Sequence, residues 1–265
     1  MIRIAIILTG TVKPQVVGGN FTSEQRMDMY TSTLRYYATT IGTKYPVIFV
    51  ENSEADLSSW AREFKDSLNL EILQFRPTEA RNGDFDNSKG KGYNEFLMLN
   101  KCMTQSQLLK GCDYFLKITG RYAMVNIVTM MKEIENRVKP EILYMGDIKD
   151  TKFYDYLGIK TCSSHWGDTR FFVVQKDFYN KEMCNAYLEM DDYDVGKWAE
   201  DYMVRLSRKY RDDNRFIFKF RHQVEFNGVS GTMTSLNGNV QNSSKNKIKN
   251  LLHYCIRILF PKWLI

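Results

Sequence analysis

The stretch IRIAIILTGT, residues 2–11, decides the predicted fold. Its apolar run is suited to a buried strand, and Gly10 marks a turn at the end of that strand. Thr22 and Gln25 have the spacing of a helix capping box, and apolar residues then recur at helical intervals. A second apolar run, Val47–Val50, predicts the next buried strand. The order strand, helix, strand predicts two parallel strands joined by a crossover helix.

The same alternation continues through the first 150 residues. It predicts an α/β fold in which a mostly parallel central sheet is covered by helices on both faces. In such sheets ligands bind beyond the carboxyl ends of the strands, at the point where the strand order reverses. The further predicted helices are 55–68, 93–109 and 125–138, and the further predicted strands are 70–75, 114–118, 142–145 and 171–174.

Composition excludes several classes of protein. The chain has 265 residues, of which 43% are hydrophobic and 26% charged, so it is long enough for a sizeable core. Its five cysteines form no Cys-x-x-Cys pair, which argues against a disulfide scaffold or a zinc ribbon and favours a reducing compartment. We expect neither a signal peptide nor a spanning helix, because no apolar stretch reaches the ~18 residues that a span needs. The sequence contains no P-loop, zincin or hydrolase-elbow motif.

The net charge of +6 is concentrated near the carboxyl end: residues 226–265 carry +5, whereas residues 1–225 carry only +1. A nucleic-acid binder usually spreads basic residues over its body, so we expect no nucleic-acid partner. The segment KIKNLLHYCIRILFPKWLI, residues 247–265, places apolar side chains on one helical face beside basic residues. It predicts either an interfacial helix on an anionic membrane or a helix packed on the body. The polar run 237–246 predicts a linker before it.

The segment DYFLKITGRY, residues 113–122, contains the best candidate for ligand binding. A buried strand brings Lys117, Thr119 and Arg121 to its carboxyl end, and Gly120 allows close approach of the backbone. Two cations, a hydroxyl group and exposed amides can bind a diphosphate. The alternative is a structural turn whose arginine pairs with a nearby acid.

Six short motifs resemble those of one enzyme family. They are ILTGT at 7–11, Arg-x-x-x-Tyr-x-x-x-Leu at 26–34, KGYNEF at 91–96, KITGRY at 117–122, DTRFFVV at 168–174 and Glu-Asp at 200–201. With them, residues 1–235 resemble bacterial GT-A-type glycosyltransferases that build lipopolysaccharide O-antigen and capsule repeats. The resemblance implies a GT-A-like, Rossmann-like catalytic domain over 1–235, with a donor half at about 1–122 and an acceptor half at about 123–235. Residues 236–265 would be a linker and a basic amphipathic helical tail.

The resemblance also implies where a nucleotide-sugar donor binds. Thr9, Gly10 and Thr11, with Glu51, would lie near the base and the ribose, and the segment after the fourth strand would lie near the diphosphate. The complete predicted donor-binding set is Thr9, Gly10, Thr11, Glu51, Lys91, Lys117, Thr119, Gly120, Arg121 and Tyr122.

The metal motif of the family is missing from its usual place. GT-A enzymes commonly carry Asp-x-Asp after the fourth strand, where it holds a divalent metal on the donor diphosphate, but this chain has Thr119-Gly120-Arg121 there. Asp84-Phe85-Asp86 matches the letters in a polar loop before the preceding helix. Dependence on Mn²⁺ or Mg²⁺ therefore stays open. Lys117 and Arg121, with Lys89 or Lys91, are the alternative means of neutralising the leaving diphosphate without a metal.

Sugar transfer with inversion needs a base for the acceptor hydroxyl, and the candidates are Glu200, Asp201 and Asp168. A carboxylate suffices if burial raises its pKa toward the working pH. The alternative for Glu200 and Asp201 is an acidic pair that stabilises a helix N-terminus. His165 and Trp166 are predicted to form a platform for the acceptor sugar, because an aromatic face stacks on a pyranose; the alternative is a place in the core.

The predicted function is transfer of a sugar from a nucleotide-sugar donor, with UDP favoured, to a lipid-linked oligosaccharide in bacterial surface polysaccharide assembly. The enzyme is expected to be cytoplasmic and peripherally bound to the inner leaflet of the inner membrane through its tail. Two alternatives stay open: a transferase that uses a CMP- or GDP-sugar, and a non-catalytic nucleotide- or glycan-binding module at the membrane.

Overall fold

A central sheet organises the protein. The structure, a computed structural model, describes residues 2–14, 21–75, 85–150, 165–227 and 244–260. Within these ranges seven strands form one sheet, and two further strand pairs lie outside it. The strands are β1 (Ile4–Gly10), β2 (Pro46–Glu51), β3 (Asn69–Gln74), β4 (Tyr114–Thr119), β5 (Ala123–Met124), β6 (Tyr144–Met145), β7 (Ile148–Asp150), β8 (His165–Gly167), β9 (Phe171–Gln175), β10 (Phe216–Ile217) and β11 (Phe226–Asn227).

The strand order is β10-β6-β9-β4-β1-β2-β3, and the four strands from β4 to β3 are parallel. Strand β9 runs antiparallel to both β4 and β6. The chain moves outward from β1 to β3 and then returns to place β4 on the other side of β1, so the order reverses between β1 and β4. This is the position where sheets of this type bind ligands. Thr9 is in register with Thr119 there, and Gly10 is in register with Glu51.

Helices cover both faces of the sheet. They are α1 (Ser23–Thr40), α2 (Ser58–Glu63), α3 (Gly90–Gln105), α4 (Gln107–Lys110), α5 (Ile127–Arg137), α6 (Lys176–Phe178), α7 (Ala199–Lys209) and α8 (Ser244–Leu259). One core cluster contains Phe96 of α3, Phe172 of β9 and Met203 of α7. The cluster on the opposite face contains Tyr30 of α1 and Phe49 of β2. The predicted α/β class and mostly parallel sheet are confirmed.

Local capping explains where the helices begin and break. Thr22 and Gln25 form the predicted capping box at the start of α1. The predicted helix 93–109 begins earlier, at Gly90, and is interrupted at Ser106, whose side chain accepts from the Leu109 amide and thereby caps α4. The predicted helix 55–68 is reduced to α2, because the chain turns after Glu63.

The carboxyl-terminal helix contacts the body and also exposes apolar side chains. Arg257 donates to the Phe220 carbonyl at 3.0 Å and pairs with Asp147 at 2.9 Å, and the Tyr254 ring lies 4.8 Å from that of His222. By contrast, the apolar residues Leu251, Leu252 and Leu259 are 64%, 59% and 69% exposed. Among the described residues, no helix combines the length and the hydropathy that crossing a bilayer requires. The predicted domain boundary near residue 235 lies outside the described residues.

Candidate functional site

A buried ion pair lies beneath the carboxyl ends of β1 and β4. Lys117 of β4 has no exposed surface, and its ammonium lies 2.7 Å from the Glu95 carboxylate of α3. The same ammonium donates to the Thr169 carbonyl at 2.6 Å and to the Thr119 hydroxyl at 3.2 Å. An ammonium has three donors, and all three have partners inside the protein. This arrangement leaves no donor of Lys117 for a bound diphosphate, contrary to the prediction. The contacts of Lys117 instead hold Glu95, Thr119 and the Thr169 carbonyl together.

Glu95 joins the two strand ends. Its Oε1 accepts from the Thr9 hydroxyl at 2.6 Å and from the Thr119 hydroxyl at 3.3 Å. Burial alone would raise the pKa of Glu95, but the charges of Lys117 and Lys91 and the hydrogen bonds lower it to about 2. The pKa of Lys117 is lowered, chiefly by burial, while the charge and hydrogen bond of Glu95 act to raise it. We take the pair as ionised, because the ammonium has the Glu95 carboxylate and the Thr169 carbonyl as direct acceptors.

The polar network continues to one of the predicted bases. The Thr169 hydroxyl donates to Glu200 Oε1 at 3.2 Å, so hydrogen bonds connect Thr9, through Glu95 and Lys117, to α7. Glu200 is half-buried, and this burial raises its pKa, which the nearby Lys91 charge opposes only in part. The geometry thus brings the predicted donor side and one predicted acceptor-side carboxylate into one connected site.

A glycine lets α7 approach closely enough for that connection. A Cβ at Gly167 of β8 would lie 2.3 Å from the Met203 Cβ and 2.8 Å from the Glu200 carbonyl oxygen. Both distances are too short for any larger residue without movement of the helix. Gly167 therefore fixes the separation between β8 and α7, and with it the position of Glu200.

The other two predicted bases have structural partners. The Asp201 carboxylate accepts from the Trp198 amide at 3.1 Å and so caps the start of α7. Asp168 is bound by the Arg170 guanidinium at 2.6 and 2.9 Å and by the Arg170 amide at 2.9 Å. These contacts favour the structural alternative for Asp201 and Asp168, and leave Glu200 as the candidate whose pKa burial raises.

The loop after β1 is held by its neighbours on β2 and α1. Glu51 is fully buried, and its carboxylate accepts from the amides of Val12 at 3.0 Å and Ser53 at 2.9 Å. The Thr11 hydroxyl donates to Asn52 at 2.7 Å, and the Thr11 amide donates to the Tyr30 hydroxyl at 2.9 Å. Glu51 thus shapes this loop and exposes none of its own surface.

Close backbone approach explains the two glycines at the strand ends. The Gly120 amide donates to the Thr9 carbonyl at 2.8 Å, and a Cβ at Gly120 would lie 2.9 Å from that same oxygen. A Cβ at Gly10 would lie 2.6 Å from the ring of Phe49. Gly120 is thus needed for the close approach of the two strand ends, and its predicted contact with a bound diphosphate stays a prediction. Arg121 follows directly, and its guanidinium donates to the Tyr122 hydroxyl at 3.0 Å.

The predicted acceptor residues lie on the β7–β8 strand pair. The His165 Nδ1 is 2.6 Å from the Asp150 carboxylate, which Arg208 also binds at 2.8 Å. Trp166 is 41% exposed, which excludes it from the core and leaves its ring accessible to a ligand. The acceptor platform stays a prediction.

An acidic loop caps the start of α3. The Asp192 carboxylate accepts from the Lys91 amide at 2.6 Å and from the Gly92 amide at 3.2 Å, and Asp191 pairs with Lys89 at 2.9 Å. Gly90 has φ of +87°, and a Cβ there would lie 2.5 Å from the Asp192 Cβ, so glycine is required. The Lys91 side chain stays exposed.

The structure describes only part of the predicted metal motif. In the Asp84-Phe85-Asp86 motif, Asp84 lies outside the described residues, and Asp86 accepts from the amide and hydroxyl of Ser88. In the part of the chain that the structure describes, no three His, Cys, Asp or Glu side chains are grouped closely enough to hold a metal ion.

Comparison with family models finds no match, and neither does comparison with curated proteins. Among solved structures, the chain is similar to the mannosyltransferase PcManGT of Pyrobaculum calidifontis in complex with GDP-Man and Mn²⁺, with 14% identity, coverage of 99% of this chain and 68% of that chain, and a TM-score of 0.49. It is also similar to the galactosyltransferase LgtC in complex with donor and acceptor sugar analogues (8% identity, coverage of 77% and 69%, TM-score 0.44). A cytidylyltransferase from Leptospira borgpetersenii is another such structure (10%, 82% and 75%, TM-score 0.41). Similarities this remote do not show the activity of this chain.

Proposed function

We propose that the protein is a glycosyltransferase that moves a sugar from a nucleotide-sugar donor to a lipid-linked glycan acceptor. One observation carries the proposal: the hydrogen-bonded network from Thr9 to Glu200 lies where the strand order reverses between β1 and β4. This is where α/β sheets bind nucleotides, and here it adjoins a carboxylate with a raised pKa. The sequence motifs that resemble GT-A enzymes fall on the same residues.

In the proposed reaction Glu200 is the base that accepts the proton of the acceptor hydroxyl as the hydroxyl oxygen attacks the anomeric carbon. The bond to the donor diphosphate breaks, and the diphosphate leaves with the electron pair. Burial raises the pKa of Glu200 and so makes it a stronger base than an exposed carboxylate. The exposed ammonium of Lys91 and the guanidinium of Arg121 are the candidates for balancing the charge of the leaving group.

A panel of UDP-, GDP-, CMP- and dTDP-sugars, run by thermal shift with Mn²⁺ and with EDTA, tests donor binding and metal dependence together. Donor hydrolysis without acceptor then tests catalysis. We expect at least one donor to raise Tm and to be hydrolysed slowly, and Glu200→Gln to keep donor affinity but lose turnover. Binding without hydrolysis would favour a non-catalytic module, and binding of none of these donors would refute the proposal.

The proposed acceptor is lipid-linked, because α8 combines a basic sequence with an exposed apolar face. Leu251, Leu252 and Leu259 are largely exposed, and residues 226–265 carry no acid. Such a helix favours the interface of an anionic bilayer. Its contact with the body through Arg257 would keep the enzyme beside an acceptor held in the inner leaflet.

Vesicle sedimentation tests the membrane proposal with the full-length chain. We expect the wild type to sediment with phosphatidylglycerol vesicles more than with phosphatidylcholine vesicles, and the double variant Leu251→Asp/Leu252→Asp to stay in the supernatant. Leu188→Asp is the matched control, because Leu188 is 65% exposed on the body. Equal sedimentation of the double variant and the wild type would exclude α8 as the membrane contact.

A further inference from the structure

Two buried arginines lie at the carboxyl ends of β1 and β4, on the α1 side of the sheet. Arg26 of α1 donates from its Nη1 to the Thr11 carbonyl at 3.2 Å. Arg121 lies two residues after Thr119, and Thr11 lies two residues after Thr9, which is in register with Thr119. The same Thr11 carbonyl accepts from the buried Tyr30 hydroxyl at 3.4 Å. Burial raises the pKa of Tyr30, and the charges of both Arg121 and Arg26 oppose that rise.

Neither arginine has an acidic partner in the part of the chain that the structure describes. Arg26 and Arg121 are only 8% and 7% exposed, and the Nε of each is buried without a hydrogen-bond partner. In the described ranges, neither forms an ion pair. Seven other arginines in the same ranges pair with carboxylates: Arg35 with Glu63, Arg137 with Glu133, Arg170 with Asp168, Arg205 with Glu189, Arg208 with Asp150, Arg215 with Asp213 and Arg257 with Asp147.

Two uncompensated buried charges of the same sign are costly for the free protein. Burial lowers the pKa of Arg26, and the like charge of Arg121 contributes to this, yet an arginine stays protonated in a protein. A buried charge is stabilised by a counter-charge with hydrogen bonds. Since no described carboxylate supplies one, an anionic ligand is the partner that fits.

We propose that Arg26 and Arg121 together bind a diphosphate group. Two guanidinium groups present planar donors that match phosphate oxygens, and a diphosphate carries enough negative charge to neutralise both. For the identity of the ligand as a nucleotide-sugar donor, the inference rests on the proposed function. In this proposal Arg26, and not Lys117 as the sequence predicted, is the second cation that binds the diphosphate beside Arg121.

Calorimetry with inorganic pyrophosphate, UDP, GDP, CMP and uridine tests the arginine pair on the full-length protein. We expect Arg26→Gln and Arg121→Gln each to weaken the binding of pyrophosphate and of the preferred nucleoside diphosphate by roughly 10- to 100-fold, the scale of lost hydrogen bonds to a charged group. Glutamine keeps an amide donor for the Thr11 carbonyl. Arg35→Gln is the matched control, because Arg35 lies on the same helix with its side chain 64% exposed, and it should bind like the wild type.

The outcomes separate the two proposals. Wild-type affinity for pyrophosphate in both folded arginine variants, or no binding of pyrophosphate by the wild type, would overturn the arginine pair. Pyrophosphate binding that depends on both arginines, without binding of any nucleotide, would keep the pair and overturn the proposed function. Thermal shift of the wild type alone gives a further readout, since pyrophosphate should raise its Tm and uridine should not.

Discussion

The buried Lys117–Glu95 pair makes a quantitative prediction about stability. At 2.7 Å and an effective dielectric constant of about 20, the gross attraction of the two charges is about 6 kcal/mol. Desolvation costs several kcal/mol for each ion, so the pair as a whole contributes little net stability. Removing one partner leaves the other charged and buried. We therefore expect Glu95→Gln and Lys117→Met each to lower the free energy of unfolding by about 3–5 kcal/mol.

The double variant distinguishes this account from a simple loss of contacts. Glu95→Gln/Lys117→Met buries no charge, so we expect its unfolding free energy to lie above that of at least one single variant and well above the additive value. Urea unfolding of the four proteins, followed by circular dichroism, measures the coupling. Single variants that each lose less than about 1 kcal/mol, or additive losses in the double variant, would refute the reasoning.

The acid side of the stability curve provides a second test of the same pair. The pKa of Glu95 is lowered from 4.5 to about 2 in the folded protein. A group with a lowered pKa contributes stability above its unfolded value and loses that contribution as the pH falls toward the folded value. The gap in stability between the wild type and Glu95→Gln should therefore shrink as the pH falls from about 4.5 to 2. A gap that does not change with pH would mean that Glu95 is not ionised.

Substitutions at three further positions test contacts that the structure shows. Gly167→Ala should cost about 1–3 kcal/mol by overpacking against α7 and should lower turnover, both measured beside the wild type by urea unfolding and donor hydrolysis. Asp192→Ala should cost about 0.5–2 kcal/mol through the lost cap of α3, and Asp192→Asn should recover part of it; equal stability of the two variants would contradict the capping role. Arg257→Ala should speed amide exchange within 251–260 without changing global unfolding, and unchanged exchange would show that Arg257 does not anchor α8.

Apolar periodicity predicted the sheet and most of its helices, because burial of a strand or of a helix face leaves a regular pattern in the sequence. The strand ends at Thr9 and Thr119 followed from the same pattern, and so did their proximity in a parallel sheet. The interruption at Ser106 was missed because a single capping side chain leaves the surrounding periodicity intact.

Charge pairing could not be predicted in the same way, since it joins residues far apart in the chain. Glu95 belongs to the KGYNEF motif, but nothing in the sequence indicates that it pairs with Lys117. The sequence alone predicts that Lys117 is a ligand-binding cation, and only the structure shows that it pairs with Glu95. Arg26 belongs to one of the sequence motifs, but only the structure shows that its Nε is buried without a hydrogen-bond partner among the described residues.

Two pairs of charged residues lie where the strand order reverses between β1 and β4: Lys117 with Glu95, and Arg26 with Arg121. The internal pairing of the first affects the charge that the second presents to a ligand. Lys117 neutralises Glu95 on the α3 side, so the network there adds little net field at the strand ends. If Lys117 turned to bind a phosphate group directly, the Glu95 carboxylate would remain buried, charged and close to the incoming anion, and the repulsion would oppose binding. Internal pairing of Lys117 thus leaves the positive charge of Arg26 and Arg121 uncancelled on the α1 side. An anion bound there would meet two cations and no exposed Glu95 charge, as the proposed binding of a diphosphate by Arg26 and Arg121 needs.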